Sequence, residues 1–388
     1  MGAAPRSRSL HVLTIAPFYP RLGDESGGCF VAEPLGELVS AGMQATIFAV
    51  EPFYRPRATA SGQAPPARWF RYPAIPGNAG LASAGDGLYL CLRKAVQDLH
   101  TRSPIDLIHA HGALPCGLAA LQLSRQLGLP YVVTVHGLDA FSQAQVGGRR
   151  GRRCAERSQQ VYGGARRVIG VSQHVCDEVQ KGMSEPVKLS VVYNGVNPSL
   201  FQPGEGAASP ALLTVGNLIP VKGHELVVRA LAALRDEFPR ITWDVVGVGP
   251  ELNRIREVAA RLGALDAIHF HGKLGRREVA EAFRRCTVFV LPSHYEGFGC
   301  VYLEAMASGK VAIGCAGQGI EEVIHHGENG WLVPPDGHAE LIEGLRILLR
   351  DPERRMRIGV EARKTIVESY TLRHQAEQLL RVYEESVG

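Results

Sequence analysis

Short apolar runs rich in β-branched residues recur along the chain, separated by stretches of helical periodicity. This alternation restricts the fold more than any other feature. HVLTIA (11–16), ATIFAV (45–50), DLIHAH (106–111), YVVTVHG (131–137), RVIGVS (167–172) and LSVVYNG (189–195) read as strands buried on both faces. Amphipathic segments such as FVAEPLGELVSAG and LAALQLSRQLG lie between several of them. Strands of this kind, alternating with helices, make a parallel sheet covered on both sides.

The pattern pauses at NPSLFQPGEGAASP (197–210), rich in Pro, Gly and Ser, which is a linker signature. It restarts with ALLTVGN (211–217), TWDVVGV (242–248), IHFHGK (268–273), VFVLPS (288–293), VAIGCA (311–316) and GWLVPP (330–335). The reading is α/β in two halves, residues 1–200 and 201–370, since 388 residues exceed what one core usually holds. A closing helix, 371–388, carries an apolar stripe at Leu379, Leu380 and Tyr383 that must cover a surface. Residues 51–85 are less regular and read as a long loop with at most one short strand. The N-terminus reads as a short tail before the first strand, because its apolar run is one strand long and breaks at Pro17.

An apolar content of 45% and a charged content of 21% fit a soluble globular protein. A formal charge of +4 does not argue for a nucleic-acid partner, which needs a concentrated basic face. No apolar segment reaches the roughly 18–20 residues that span a bilayer, so any membrane contact is peripheral. The eight cysteines form no CxxC pair and no zinc spacing, which points to reduced, buried thiols in a cytoplasmic protein.

SHYEGFGCVYLEAMASG (293–309) carries two carboxylates inside an apolar strand–loop–helix joint. Gly297 and Gly299 clear side chains from the N-terminus of a helix starting near Cys300, where free N–H groups and the helix dipole attract phosphate. Glu304, in the first turns of that helix, can accept hydrogen bonds from two adjacent sugar hydroxyls. Glu296 sits in the loop. The plain alternative is an ordinary turn, a capped helix and a solvated Glu296. Lys222, on a loop entering a helix, suits a phosphate. Gly27 and Gly28 form a loop before the first helix, and His136 ends a strand. His109 and His111 share one face of their strand but lack a third metal ligand. GGRRGRR (147–153) is a basic loop before a helix, suited to an anionic acceptor or headgroup, or simply solvated.

E-G-F-G-x-x-x-x-E-A-M-A-x-G closely resembles the signature of the retaining, nucleotide-sugar-dependent family 4 glycosyltransferases. SGGCFVAEPLGELVSAG, DLIHAH with VVTVHG, VVYNGVNPSLFQP, LLTVGNLIPVKGHELVVRAL and HGENGWLVPP extend the resemblance over nearly the whole chain. It implies the GT-B fold, two Rossmann-like domains with parallel sheets facing an interdomain cleft, and a final helix that returns to the first domain. It implies that Glu296 holds the donor sugar, Glu304 the ribose, and Lys222 the diphosphate. The backbone around Gly297, Phe298, Gly299 and Cys300 would approach the sugar and diphosphate. Gly27 and Gly28 would lie near the phosphate, and His136 beside the sugar. Asn217 departs from the family, which commonly has Arg there. Arg grips phosphate with a planar fork and Asn does not. No D-x-D triplet occurs, so transfer is expected without a metal ion or other cofactor.

The resemblance extends, through GQGI (317–320), to glycosyltransferases of bacterial surface polysaccharides of the teichuronic acid type. The expected partners are a UDP-sugar first, a GDP-sugar second, and a saccharide or lipid-linked acceptor, with the protein cytoplasmic or held peripherally at the inner membrane face. Three alternatives stand beside this reading. A nucleotide-sugar epimerase shares the fold but needs no acceptor. A non-catalytic sugar-nucleotide binder would keep the same residues. An NAD-dependent dehydrogenase is disfavoured, because HVLTIAPFYP is not followed by G-x-G-x-x-G.

Overall fold

A computed structural model describes residues 9–388, apart from 60–61, 63, 77–79, 141–147, 205 and 207–208. The proposed tail before residue 9 and Gly147 of the basic run therefore lie outside the described residues. The chain divides into two compact units, Met1–Tyr193 together with Leu372–Gly388, and Asn194–Thr371.

The first unit runs β1 (His11–Ala16), α1 (Cys29–Ser40), β2 (Gln44–Pro52), β3 (Ala67–Tyr72), α2 (Leu81–Arg102), β4 (Leu107–His111), α3 (Leu118–Leu127), β5 (Tyr131–Val135), α4 (Gly148–Gly164), β6 (Arg167–Gly170), α5 (Gln173–Lys181) and β7 (Leu189–Val191). The second runs β8 (Ala211–Val215), α6 (His224–Leu234), β9 (Thr242–Val246), α7 (Leu252–Arg261), β10 (Ile268–Gly272), α8 (Arg276–Arg285), β11 (Val288–Val290), α9 (Cys300–Ala307), β12 (Val311–Cys315), β13 (Trp331–Val333), α10 (His338–Arg350) and α11 (Pro352–Ser369). The helix α12 (Leu372–Val387) belongs to the first unit, where it packs on α1 and over β4 and β5.

Both sheets are parallel. Their strand orders are β3-β2-β1-β4-β5-β6-β7 and β10-β9-β8-β11-β12-β13. These are two Rossmann-like α/β domains. Each sheet reverses its winding once, between β1 and β4 in the first and between β8 and β11 in the second. The crevice beyond the carboxyl ends of strands at such a reversal is where sheets of this type take ligands.

The strands are apolar on both faces because helices cover both. Val12, Leu107, Val132 and Ile169 join Leu35 and Leu38 of α1 and Leu379 and Tyr383 of α12 in one core. Leu212, Trp243, Val288 and Ile313 join Leu231 and Leu345 in the other. Fully burying one such aliphatic or aromatic side chain contributes about 1.5–3 kcal/mol, so α12 is held by several such contributions.

Residues 51–85 hold one short strand, β3, paired with β2 over six residues, and the loop ends where α2 starts at Leu81. One sequence expectation needs correction. The expected basic loop is helix: Gly148–Arg153 form the first turns of α4, with Arg149, Arg150, Arg152 and Arg153 exposed and Gly151 and Cys154 turned inward. All eight cysteines are free thiols, five of them buried. Among the described residues, no helix is long and apolar enough to cross a membrane.

Candidate active site

In the second unit the loops after β8 and β11 meet at the reversal of the sheet. His294 donates its backbone N–H to the Val221 carbonyl at 2.8 Å. Gly223, at φ 67°, lets the chain pass so near the β11 loop that a Cβ there would sit 2.2 Å from the Pro292 oxygen. Only glycine satisfies both requirements. This close approach puts Lys222 Nζ 2.5 Å from Glu296 Oε2. The two side chains are 17% and 12% exposed, so Glu296 is not a solvated loop carboxylate. Ser293 Oγ lies 3.5 Å from the same oxygen.

The loop bearing Glu296 is fixed from β12 as well. Glu296 donates its N–H to Gln318 Oε1 at 3.0 Å, and its carbonyl accepts from Gly319 at 3.0 Å. Gly299, at φ 81°, turns the chain into α9, and the hydroxyl of Tyr302 donates to the Leu291 carbonyl at 2.5 Å. Phe298 is buried. The N-terminus of α9 thus follows directly on Glu296 and is anchored to β11. Glu304, one turn further along, is 4% exposed and ion-paired with Arg276 at the first position of α8. Asn217 is exposed beyond β8.

In the first unit, Gly28, at φ 81°, begins α1 so close to the preceding loop that a Cβ would fall 2.4 Å from the Phe18 carbonyl carbon. Gly27 is tied by its N–H to Asp24 Oδ1 at 2.8 Å, so this loop is held in place. Phe30, just inside α1, packs edge-on against the His136 ring with centroids 4.9 Å apart.

His136 closes a row of three histidines. Its Nε2 is 3.1 Å from His111 Nδ1, and the His111 ring is 4.3 Å from that of His109. His109 hydrogen-bonds the Tyr383 hydroxyl of α12 at 2.8 Å and Thr134 Oγ1 at 2.7 Å. Burial depresses all three, His136 to about 4, His109 to about 3 and His111 well below the usual range, with the neighbouring rings adding to the effect on His109 and His111. At neutral pH each is an uncharged imidazole, with one donor and one acceptor nitrogen. The backbone N–H of His136 donates to Asp139 Oδ1 at 2.8 Å, while Oδ2 is enclosed without a partner among the described residues. Burial raises Asp139 to about 6, against the lowering effect of backbone N–H groups from His136, Gly137 and Asp139 itself.

Comparison with known proteins gives the family. Residues 30–200 match the model of Glycosyltransferase Family 4, and residues 199–365 that of Glycosyl transferases group 1. A D-inositol 3-phosphate glycosyltransferase of Frankia alni is 33% identical over 292 residues, which are 68% of this chain and 70% of its own. The chain is a group 1, family 4-type glycosyltransferase. A D-inositol 3-phosphate glycosyltransferase of Stackebrandtia nassauensis is 28% identical, over 95% of this chain and 88% of its own.

Solved structures show the GT-B architecture. The sucrose-phosphate synthase of Thermosynechococcus elongatus superposes with a TM-score of 0.78 at 22% identity, over 97% of this chain and 98% of that one. Anabaena HepE in complex with UDP and glucose gives 0.77 at 20% identity, over 95% and 98%.

The fold gathers Lys222, Glu296, Gly297, Phe298, Gly299 and Cys300 of this glycosyltransferase at one sheet reversal, with Glu304 one helical turn behind. Gly27, Gly28 and His136 gather in the other unit. Sequence reasoning missed three residues that hold them, Arg276 on Glu304, Gln318 on the Glu296 loop and Asp139 on His136, and did not join His111 to His136. Arg276 had one available signal, its place just past the carboxyl end of a strand. Among the described residues, no three His, Cys, Asp or Glu side chains are arranged to hold a metal ion.

Proposed function

We propose that this glycosyltransferase moves a sugar from a UDP-sugar to a hydroxyl of a saccharide or lipid-linked saccharide, with retention of configuration and without a metal ion. The observation that carries the reading is the Lys222–Glu296 pair beside the N-terminus of α9, beyond the strands where the sheet reverses. A donor diphosphate would draw Lys222 from Glu296 and rest against the N-terminus of α9. Glu296, released, would accept hydrogen bonds from the sugar hydroxyls. Glu304 would accept from the ribose, and neutral His136 would exchange one hydrogen bond with the sugar.

As the bond between the sugar and UDP breaks, negative charge grows on the diphosphate, and Lys222 with the helix terminus stabilises it. The acceptor oxygen would attack from the face the diphosphate leaves, passing its proton to the departing phosphate oxygen. UDP as the nucleotide is supported by its presence in HepE. A role in surface polysaccharide synthesis is supported by the GQGI segment. An anionic, phosphate-bearing acceptor is supported by the exposed arginines 149, 150, 152 and 153 of α4. A phosphorylated polyol acceptor is a second reading, supported by the D-inositol 3-phosphate glycosyltransferases.

The test is calorimetric titration with UDP, GDP and ADP, followed by turnover of UDP-sugars with and without acceptor. UDP is expected to bind tightest, and turnover to require the acceptor. Donor conversion to an isomer without acceptor would instead make the protein an epimerase.

A further inference from the structure

Glu304 occupies an awkward place for a carboxylate. Its neighbours on α9, Tyr302, Leu303, Ala305, Met306 and Ala307, are all completely buried, and it is 4% exposed itself. An ionised group there is strongly disfavoured unless it is paired. Arg276 supplies the pair through Nη1 to Oε1. The guanidinium is fixed on its other side, lying over the Phe201 ring at 4.9 Å, and the side chain is 14% exposed. Oε2 of Glu304 has no hydrogen-bond partner among the described residues. The arginine therefore secures one oxygen and the charge, and leaves the second oxygen available to a ligand.

We infer that Arg276 is a positioning residue that holds Glu304 aimed at the ribose, so that this enzyme selects ribonucleoside over 2′-deoxyribonucleoside diphosphate donors. The inference rests on the reading of Glu304 given above. Lys could not replace it: an ammonium neither lies flat on Phe201 nor presents a planar fork. A 2′-deoxy nucleotide would leave that aimed oxygen short of a donor, and sites built on a hydrogen bond reject analogues that lack it.

The experiment is calorimetric titration of the full-length enzyme with UDP and 2′-deoxy-UDP, for wild type, Glu304→Gln, Arg276→Met and the double variant. A hydrogen bond to an ionised group corresponds to about a tenfold or greater preference for UDP in the wild type. Arg276→Met keeps an apolar stem against Phe201, and is expected to bring the ratio close to that of Glu304→Gln. The double variant is expected to fall no further.

If Arg276→Met does not fold, Arg276→Gln is read by the same ratio. A full wild-type ratio in the Arg276 variant, with the ratio lost in Glu304→Gln, would leave Arg276 merely structural and overturn the inference. An equal loss of affinity for both nucleotides in the Arg276 variant would overturn it too. A wild-type ratio in Glu304→Gln would instead refute the role given to Glu304.

Discussion

Glu296→Gln is expected to bind UDP more tightly than the wild type while losing transfer. The reason is competition for Lys222, whose Nζ is 2.5 Å from Glu296 Oε2 in a pair less than one-fifth exposed on either side. A phosphate must take the ammonium from that carboxylate. Hydrogen bonds to charged groups contribute about 1.5–3 kcal/mol. Partial exposure, and the hydrogen bond a Gln can still offer, reduce the difference to about 1 kcal/mol. That is roughly a fivefold gain in UDP affinity at 25 °C. Lys222→Ala has the opposite sign and should weaken UDP by about tenfold or more. Turnover of Glu296→Gln should drop by about 10²-fold or more, since the sugar loses an ionised acceptor. Calorimetry with UDP on both variants and the wild type measures the first effect, and thermal unfolding checks that each is folded. Weaker UDP binding by Glu296→Gln would refute the idea that the two partners share Lys222.

Gly223→Ala should destabilise the second unit by about 3 kcal/mol, combining a left-handed φ, which costs about 1–2 kcal/mol, with a forced shift of the Pro292 carbonyl. A wild-type denaturation midpoint would contradict this. Asp139→Ala removes the acceptor of the backbone N–H of His136, loosens the turn that carries it, and should lower turnover with UDP affinity unchanged, as read by paired kinetics and calorimetry. Stability should fall as pH drops from about 6.5 to 4. The unfolded chain takes up protons there that buried His109, His111, His136 and His224 refuse, each opposing folding by about 1.4 kcal/mol per pH unit. Asp139 works the other way. Its pKa is raised to about 6, so folding binds a proton between about pH 4 and 6, which offsets one histidine. Urea denaturation at pH 5 and 7 would show the net loss, and equal midpoints would sink the account.

The strands were legible because each is buried on both faces, and that leaves a local mark. β1 begins and ends where HVLTIA does. The strand β3 leaves a fainter mark because ARWFRY mixes two arginines among its aromatics; it is an edge strand, and its residues are mostly half-buried. The basic run was misjudged because glycines at 148 and 151 suggest a loop, while Gly151 faces inward against the neighbouring elements, as a helix requires. Glu296, Lys222 and Glu304 were found as residue types in a spacing. That Lys222 and Glu296 hold each other, and that Arg276 holds Glu304, depends on residues 74 and 28 positions apart being brought together. No local pattern encodes such a meeting.

The placement of α12 has a consequence for how the chain is made. Residues 194–371 form a unit from one continuous segment, which can fold as soon as it has emerged from the ribosome. The first unit cannot do so, although its residues are synthesised earlier. Its core lacks Leu379, Val382 and Tyr383 until residues 372–388 follow, and the histidine row lacks the hydroxyl that bonds His109. The half begun first is therefore completed last, and a released chain truncated after residue 371 would keep the second core whole and leave the first with an open apolar face.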